Sequence, residues 1–233
     1  MPTVRPLTSS LARESRRTPL TGSAFIRSLA ALNNVHAPAS QDDFAQRVTQ
    51  WFGWTHTFAL SAALSEAPAP MPATTAGADE REYARVRNAL VNFVIETASM
   101  AVDASADFTT HRRRYTTCQQ TMECQITPLR RRVRATLAGS GSPDLAKLAK
   151  LDAVMEEVIG LQERLLLSTV PGLLQPRFDN LRSTSEWPSH PGRWPETFRQ
   201  DMRALLLAEL DLRLQPVEGL LAAQRTPSSD RHE

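Results

Sequence analysis

An apolar stripe with regular helical spacing runs through residues 115–137 and constrains the fold more than any other feature. Its members follow one another at intervals of 3, 4, 4, 3, 4 and 4 residues, a pattern that repeats every eleven residues. At about 100° per residue they fall on one side of an α-helix, within a sector about 100° wide. The repeat is slightly longer than the natural helical period, so it favours a nearly straight or gently right-handed packing partner. The stripe consists of Tyr115, Cys118, Met122, Ile126, Leu129, Val133 and Leu137.

The segment AGSGSPD, residues 138–144, predicts a tight turn between this helix and a second long one. Gly139 and Gly141 end the first helix. Ser142 is the expected N-cap of the second helix, and Pro143 its first residue. The two helices then form an antiparallel hairpin over residues 108–169, about 40 Å long. Seven apolar residues of the second helix are predicted to face inward: Leu145, Leu148, Leu151, Met155, Val158, Leu161 and Leu165.

The helical periodicity of the chain as a whole predicts an all-α fold, an elongated helical bundle with this hairpin and a small N-terminal helical subdomain. The last helix, from about Glu196, is apolar on much of its circumference, which is typical of a helix at the centre of a bundle. No alternating apolar and polar run predicts a strand. The predicted divisions are a disordered tail at 1–20, the N-terminal subdomain at 21–64, a Pro/Ala-rich linker at 65–78, the bundle at 79–224 and a disordered tail at 225–233.

Composition limits the classes of protein to which this chain can belong. Hydrophobic residues make up 41% and charged residues 22%, and the formal net charge is only +2. This composition is globular and does not indicate a polybasic protein. No apolar run reaches the roughly 18 residues that could span a bilayer, so we expect no membrane insertion. The first twenty residues contain no apolar core of a secretory signal, and two cysteines cannot form a disulfide scaffold. We therefore expect a cytoplasmic protein.

The motifs that carry common enzymatic chemistry are missing from the sequence. There is no CxxC pair, HExxH, EF-hand loop, GxxxxGK[ST] or GxGxxG, so we predict no catalytic residue, no metal and no cofactor. Cys118 and Cys124 diverge by about 120° on one helix, which predicts one buried and one exposed thiol. The acids of the second hairpin helix could serve acid–base chemistry or bind a divalent metal, but their spacing favours a solvated face. These acids are Asp152, Glu156, Glu157 and Glu163.

Two arginine triplets on the first hairpin helix are the strongest functional signal. They lie eighteen residues apart, which is five whole turns, so they repeat the same angles about 27 Å apart. The second hairpin helix carries an excess of acids, and part of the arginine charge should be matched within the hairpin. The remainder could be an ordinary solvated face, or could meet an acidic protein surface or nucleic-acid phosphates. The candidate residues are Arg112, Arg113, Arg114, Arg130, Arg131, Arg132 and Arg134.

Two tryptophans, Trp187 and Trp194, lie in a predicted proline-rich loop over residues 183–195. Half-exposed aromatic side chains in such a loop can anchor a protein partner. The alternative is that they cover one end of the bundle.

Three longer segments resemble a proteobacterial family of uncharacterised proteins, domain of unknown function 3348. The resemblance extends from about residue 20 to 224, mostly through packing residues, and it implies no catalytic residue. Genes of this family can lie beside genes for membrane-anchored envelope proteins, so the resemblance implies such proteins as candidate partners. The segments are WFGWTHTFALSAAL, LDAVMEEVIGLQERLLLSTVPGLLQPRF and DMRALLLAELDLRLQPVEGLLAA.

Together these features predict a non-enzymatic interaction or adaptor protein. A nucleic-acid-binding protein that uses the arginine-rich helix is the alternative, and a homo-oligomer is compatible with either. The Thr- and Gln-rich surface between the arginine triplets lacks the aromatic residues on which single-stranded bases stack, which favours a protein partner.

Overall fold

The computed structural model describes residues 23–33, 54–65, 76–100, 107–184 and 193–225. These residues form helices and contain no strand, so the predicted all-α bundle is confirmed for this part of the chain. The predicted tail at 1–20, the predicted tail at 225–233 except Arg225, and Trp187 lie outside the described residues, and Arg225 is the last residue of a helix. The helices are α1 (Ala24–Leu32), α2 (Trp54–Ser65), α3 (Ala76–Ser99), α4 (Phe108–Ala138), α5 (Pro143–Leu173), α6 (Gln175–Thr184) and α7 (Trp194–Arg225).

The helices α4 and α5 form the predicted antiparallel hairpin, and the turn between them has the predicted caps. Gly139 is the C-cap of α4, and Ser142 occupies the N-cap position of α5, with Pro143 in the first turn, although the Ser142 side chain makes no capping hydrogen bond. Gly141 has φ 77°, a backbone conformation that favours glycine. Both helices contain an internal proline, Pro128 in α4 and Pro171 in α5. Because α5 continues through Pro171 to Leu173, it extends four residues beyond the predicted hairpin at 108–169.

The helix α7 is the central helix of the bundle, as its apolar circumference predicts. It packs against α1, α3, α4, α5 and α6. It also continues through Pro216 to Arg225, so this proline does not end the helix. Seven of its apolar residues are 0% exposed: Phe198, Met202, Leu205, Leu206, Leu210, Leu214 and Val217.

The two N-terminal helices pack on the bundle. Phe25 of α1 is buried in the common core, where α1 contacts α7. The helix α2 packs against α5. The described part of the predicted subdomain therefore depends on the bundle for its burial. The next helix, α3, begins at Ala76, inside the segment predicted to be a linker.

The apolar stripe of α4 is buried as predicted, but the prediction of which residues of α5 face inward is only partly correct. All seven stripe residues of α4 are at most 7% exposed. On α5, Leu161 is 54% exposed and Leu165 is 55% exposed. The buried residues of that half of α5 are Gly160, Leu167, Val170 and Pro171. The helix has apolar residues on more than one side, and periodicity alone does not show which side meets the core.

One end of the core is an aromatic cluster around His111. The ring of His111 lies 5.0 Å from that of Phe198 and 5.5 Å from that of Phe178, and the residue is 3% exposed. Phe108 packs on both phenylalanines. Burial lowers the pKa of His111, and the nearby Arg114 and Arg199 lower it further. His111 therefore lies in the core itself.

The middle of the core contains a fully buried carboxylate, that of Glu209 on α7. The Tyr115 hydroxyl donates a hydrogen bond to Glu209 Oε2 at 2.8 Å. Gln119 Nε2 donates to Glu209 Oε1 at 3.0 Å, and Arg213 Nε, one turn along α7, donates to the same oxygen at 2.9 Å. Burial and the Glu209 carboxylate raise the pKa of Tyr115 well above its usual range, so the phenol remains a donor. These bonds satisfy a charge that would otherwise be costly to bury.

Gln119 also compensates for the proline in α5. A helical proline has no N–H, so Pro171 leaves the carbonyl of Leu167, four residues earlier, without its intrahelical donor. Gln119 Nε2 donates to this carbonyl oxygen at 2.8 Å. A single amide group therefore joins α4 to both α5 and α7.

We predict that removing only the buried carboxylate is more damaging than replacing the whole ion pair. Glu209→Leu leaves Arg213, whose side chain is 10% exposed, without its main partner, and should lower the free energy of unfolding by about 3–5 kcal/mol. The double variant Glu209→Leu/Arg213→Leu should be more stable than the single variant. Urea unfolding measures both, and a double variant less stable than Glu209→Leu would contradict the prediction.

We also predict that His111 makes the protein less stable in mild acid. Its pKa is lowered from the ordinary 6.5 in the folded state, so the unfolded chain binds the proton first as pH falls. The contribution to stability is present above about pH 6.5 and is lost as pH falls from there toward the lowered pKa. In the variant His111→Phe, the part of the pH dependence of stability that His111 causes should disappear. Thermal unfolding of both proteins between about pH 7.5 and pH 5.5 tests this, and equal pH slopes would contradict it.

Candidate functional site

The solvent-facing side of α4 is the candidate site, because it carries the arginines that the sequence singles out. Residues spaced by about one turn are exposed along its whole length. Since α3, α5 and α7 pack against the other sides of α4, this side is open to a partner. Its central residues, here called the α4 outer face, are Arg113, Thr117, Gln120, Cys124, Pro128, Arg131 and Ala135.

Two of the seven candidate arginines are used to hold the hairpin together. Arg130 forms a two-pronged contact with Asp152 of α5, with Nε–Oδ2 2.9 Å and Nη2–Oδ1 2.6 Å. Arg134 lies 3.2 Å from Asp152 Oδ2 and 2.6 Å from Glu156 Oε2. The side chains of Arg130 and Arg134 are only 15% and 13% exposed. These two arginines therefore hold α4 against α5. The sequence predicts them as partner-binding residues, but their guanidinium groups are already engaged within the hairpin.

The same contacts revise the predicted solvated face of α5. Asp152 is 11% exposed and Glu156 is 24% exposed, so these two acids meet α4. Burial disfavours the charged form of Arg130, but the hydrogen bond and charge of Asp152 outweigh it and raise the pKa of the guanidinium. Glu157, by contrast, is exposed as predicted.

Two further arginines bind other parts of the bundle. Arg132 Nε donates to Asp79 Oδ1 at 3.0 Å, and Asp79 is only 2% exposed. Asp79 lies in the first turn of α3 and joins this helix to α4. Arg114 Nη1 donates to the backbone oxygen of Met100 at 2.7 Å. Half of the Arg132 side chain remains exposed, so it can still contribute positive charge.

Three arginines remain open to solvent: Arg112, Arg113 and Arg131. None of them forms an ion pair with an acid in the described part of the chain. Arg113 and Arg131 are eighteen residues apart, so they point in the same direction about 27 Å apart along α4. Arg112 lies next to Arg113, about 100° around the helix. Arg113 and Arg131 therefore place one positive charge near each end of the α4 outer face, and Arg112 adds a third charge beside this face near Arg113.

The two thiols have opposite environments, as predicted. Cys118 is fully buried, and burial raises the pKa of its thiol to about 11, which keeps it protonated and unreactive. Cys124 is exposed near the middle of the α4 outer face. A free exposed thiol is typical of proteins from reducing compartments.

Trp194 belongs to the aromatic end of the core. Its ring packs edge-on against Phe178 with centroids 5.2 Å apart, and the residue is only partly exposed. The structure thus favours the alternative in which this tryptophan covers the end of the bundle. Trp187 stays a prediction, since it lies outside the described residues.

An open cleft of about 480 Å³ lies between α4, α5 and α7, close to the buried Glu209. Each of its guanidinium groups already contacts a carboxylate. Arg213 binds Glu209, Arg130 binds Asp152, and Arg164 lies 3.7 Å from Glu123. An anionic ligand would have to displace these contacts, so the cleft is a weaker candidate than the α4 outer face. The charged residues that line it are Glu123, Arg130, Glu156, Glu163, Arg164 and Arg213.

The buried polar centre is the feature that sequence reasoning missed. Glu209 stands among leucines at core spacing, and Arg213 follows it by one helical turn. An acid within an apolar face, paired at i+4 with an arginine, is the signal that could have identified it. Gln119 could not be recognised in this way, because both of its partners belong to other helices.

The described ranges contain no group of three His, Cys, Asp or Glu side chains arranged to hold a metal ion. Within the same ranges, no helix is both long and apolar enough to cross a membrane.

Comparison with known proteins identifies one family. A family model described as "Protein of unknown function (DUF3348)" matches residues 11–226, nearly the whole chain. No curated protein and no solved structure matches the chain.

We predict that Asp152 stabilises the hairpin far more than an exposed acid does. Asp152→Ala leaves Arg130 unpaired and weakens the contacts of Arg134, and it should lower the free energy of unfolding by about 2–3 kcal/mol. The matched control is Glu82→Ala, which removes a surface ion pair with Arg85 and should cost much less, because solvent screens such a pair. Urea unfolding compares them, and equal losses would contradict a structural role for Asp152.

Proposed function

The chain belongs to the DUF3348 family, and from the α4 outer face we propose that it is a non-enzymatic interaction protein of the cytoplasm. In this proposal it is an adaptor that binds an acidic surface of a protein partner through Arg112, Arg113 and Arg131. A membrane-anchored envelope protein with an acidic cytoplasmic segment is the kind of partner that this surface fits. The free thiol of Cys124 on the same face suits a reducing compartment.

The observation that carries the proposal is the division of the seven candidate arginines. Four of them bind groups within the bundle, whereas Arg112, Arg113 and Arg131 make no ion pair with a described residue. Arginine fits carboxylates well, because its planar guanidinium can donate two parallel hydrogen bonds to them. Two charged positions about 27 Å apart on one helix would also fix the orientation of an elongated partner.

The residues between the arginines favour a protein partner over nucleic acid. Thr117, Gln120 and Cys124 are small or neutral polar side chains. Single-stranded nucleic acid is usually bound by basic grooves that also contain aromatic side chains, which stack on the bases. Nucleic-acid binding is the alternative, and the nuclease treatment in the pull-down described next distinguishes it from protein binding.

We predict that reversing the three open arginines abolishes partner binding without unfolding the protein. The variant Arg112→Glu/Arg113→Glu/Arg131→Glu should recover the partner at least about ten-fold less well in a pull-down, because like charges would then face each other. Its helicity by circular dichroism should be unchanged, since exposed substitutions have small effects on stability. The pull-down is performed from the native bacterium in mild detergent, with and without nuclease.

The matched control changes the same amount of charge at exposed arginines away from α4. It is Arg81→Glu/Arg193→Glu/Arg203→Glu, on α3, before α7 and on α7, and it should retain the partner. Recovery that is unaffected by the α4 substitutions would exclude these arginines as contact residues. Recovery that disappears after nuclease treatment would instead assign the α4 outer face to nucleic acid.

A further inference from the structure

A second surface, on α5, is exposed although its centre is apolar. It runs along residues 153–172 on one side of the helix, and all its members are exposed. At about 100° per residue they fall within a sector about 120° wide. This surface, here called the α5 stripe, consists of Ala153, Glu157, Leu161, Arg164, Leu165, Ser168 and Gly172.

Two other sides of the same helix are covered. Leu167 faces the core, and Val158, about 180° around the helix from it, is 5% exposed. The helix α2 packs against α5. The α5 stripe lies between these covered sides, where Leu161 is 54% and Leu165 is 55% exposed. Exposed apolar surface that is flanked by charges is typical of an interaction site.

The charges of the α5 stripe are arranged symmetrically about its centre. Glu157 and Arg164 lie on either side of the point between Gly160 and Leu161, each about 5 Å away along the axis. Glu157 makes no ion pair with a described residue, and Arg164 has only a long 3.7 Å contact with the half-exposed Glu123. A two-fold axis through that point would place Glu157 of each chain against Arg164 of the other chain, which gives two equivalent ion pairs.

The small residues obey the same symmetry. The operation that pairs position 157 with 164 also pairs position 153 with 168, so Ala153 would oppose the partner's Ser168. Small side chains at these two places allow the helices to approach closely. Leu161 would then pack against its own copy at the centre, and Leu165 against the aliphatic part of the partner's Glu157.

From this self-complementarity we propose that the α5 stripe binds a second copy of this chain. The two α5 helices lie antiparallel about a two-fold axis next to Leu161, with two reciprocal Glu157–Arg164 ion pairs. Such an interface, in which the same patch is used on both subunits, is the commonest type in homodimers. It does not involve the α4 outer face and does not depend on the proposed adaptor function.

The contact is one helical face about 30 Å long, smaller than the roughly 800 Å² per partner of a standard stable interface. We therefore expect a dimer that dissociates on dilution, with a dissociation constant in the micromolar range or weaker. Sedimentation of the full chain from about 1 µM to about 1 mM should show a concentration-dependent shift from monomer to dimer.

Charge exchange tests the pairing. Glu157→Arg and Arg164→Glu should each weaken the dimer at least about ten-fold, because two like-charged contacts replace the two ion pairs. The double variant Glu157→Arg/Arg164→Glu should restore dimerisation, since the exchanged charges again pair across the two-fold axis. Only a reciprocal contact between two copies of α5 predicts this rescue. Single variants that dimerise like the original protein, or a double variant that stays monomeric, would overturn the proposal.

Disulfide crosslinking tests the register without any charge change. In a Cys124→Ser background, Leu161→Cys places one thiol from each chain next to the two-fold axis, within the short distance that a disulfide needs. It should form a covalent dimer under mild oxidation. Leu166→Cys is the matched control, a leucine of the same helix that is 60% exposed but points about 140° away from Leu161, and it should remain monomeric. Equal crosslinking of both variants, or of neither, would overturn the antiparallel arrangement.

Discussion

The buried carboxylate of Glu209 is the constraint on which the packing of the long helices depends. An unpaired charge at this depth would be prohibitively costly, so the donors around it must all be in place when the bundle forms. Tyr115 and Gln119 come from α4, and Arg213 comes from α7 itself. Apolar side chains tolerate small shifts along a helix, whereas these hydrogen bonds do not. The carboxylate thus fixes the axial position of α4 against α7.

Once that position is fixed, the roles of the arginines follow from their angles on α4. Arg130 and Arg134 lie on the side that meets α5 and find Asp152 there. Arg113 and Arg131 lie about 60–100° further around the helix, on its solvent-exposed side, although they belong to the same sequence clusters. Neighbouring residues of one triplet therefore have different roles. The proposed binding surface consists of the arginines that make no ion pair with a described residue of the bundle.

The sequence predicts those features that depend on local rules. The apolar stripe of α4 and the glycine, serine and proline of the hairpin turn depend on helical period and capping, and all are found as expected. The periodicity predicts that Leu161 and Leu165 face inward, but both are exposed. Periodicity identifies an apolar face without showing what covers it. The charge balance predicted that some arginines would be matched within the hairpin, but the choice of Arg130 over Arg131 depends on the rotation of α4. The burial of Glu209 also depends on Tyr115 and Gln119, which are far away in the chain, so its i+4 pairing with Arg213 is the one local signal of it.

The proline of α5 has a consequence for how this part of the protein folds. Beyond Leu167 the helix lacks one of its own backbone hydrogen bonds, and the missing donor is supplied by Gln119 of α4. The last turns of α5 therefore have little stability as an isolated helix and gain it only on docking. Local fraying at this end would break the contact with α4 and disturb the carboxylate that Gln119 also binds. The end of α5 and the centre of the bundle should consequently open together, as one cooperative unit in hydrogen exchange.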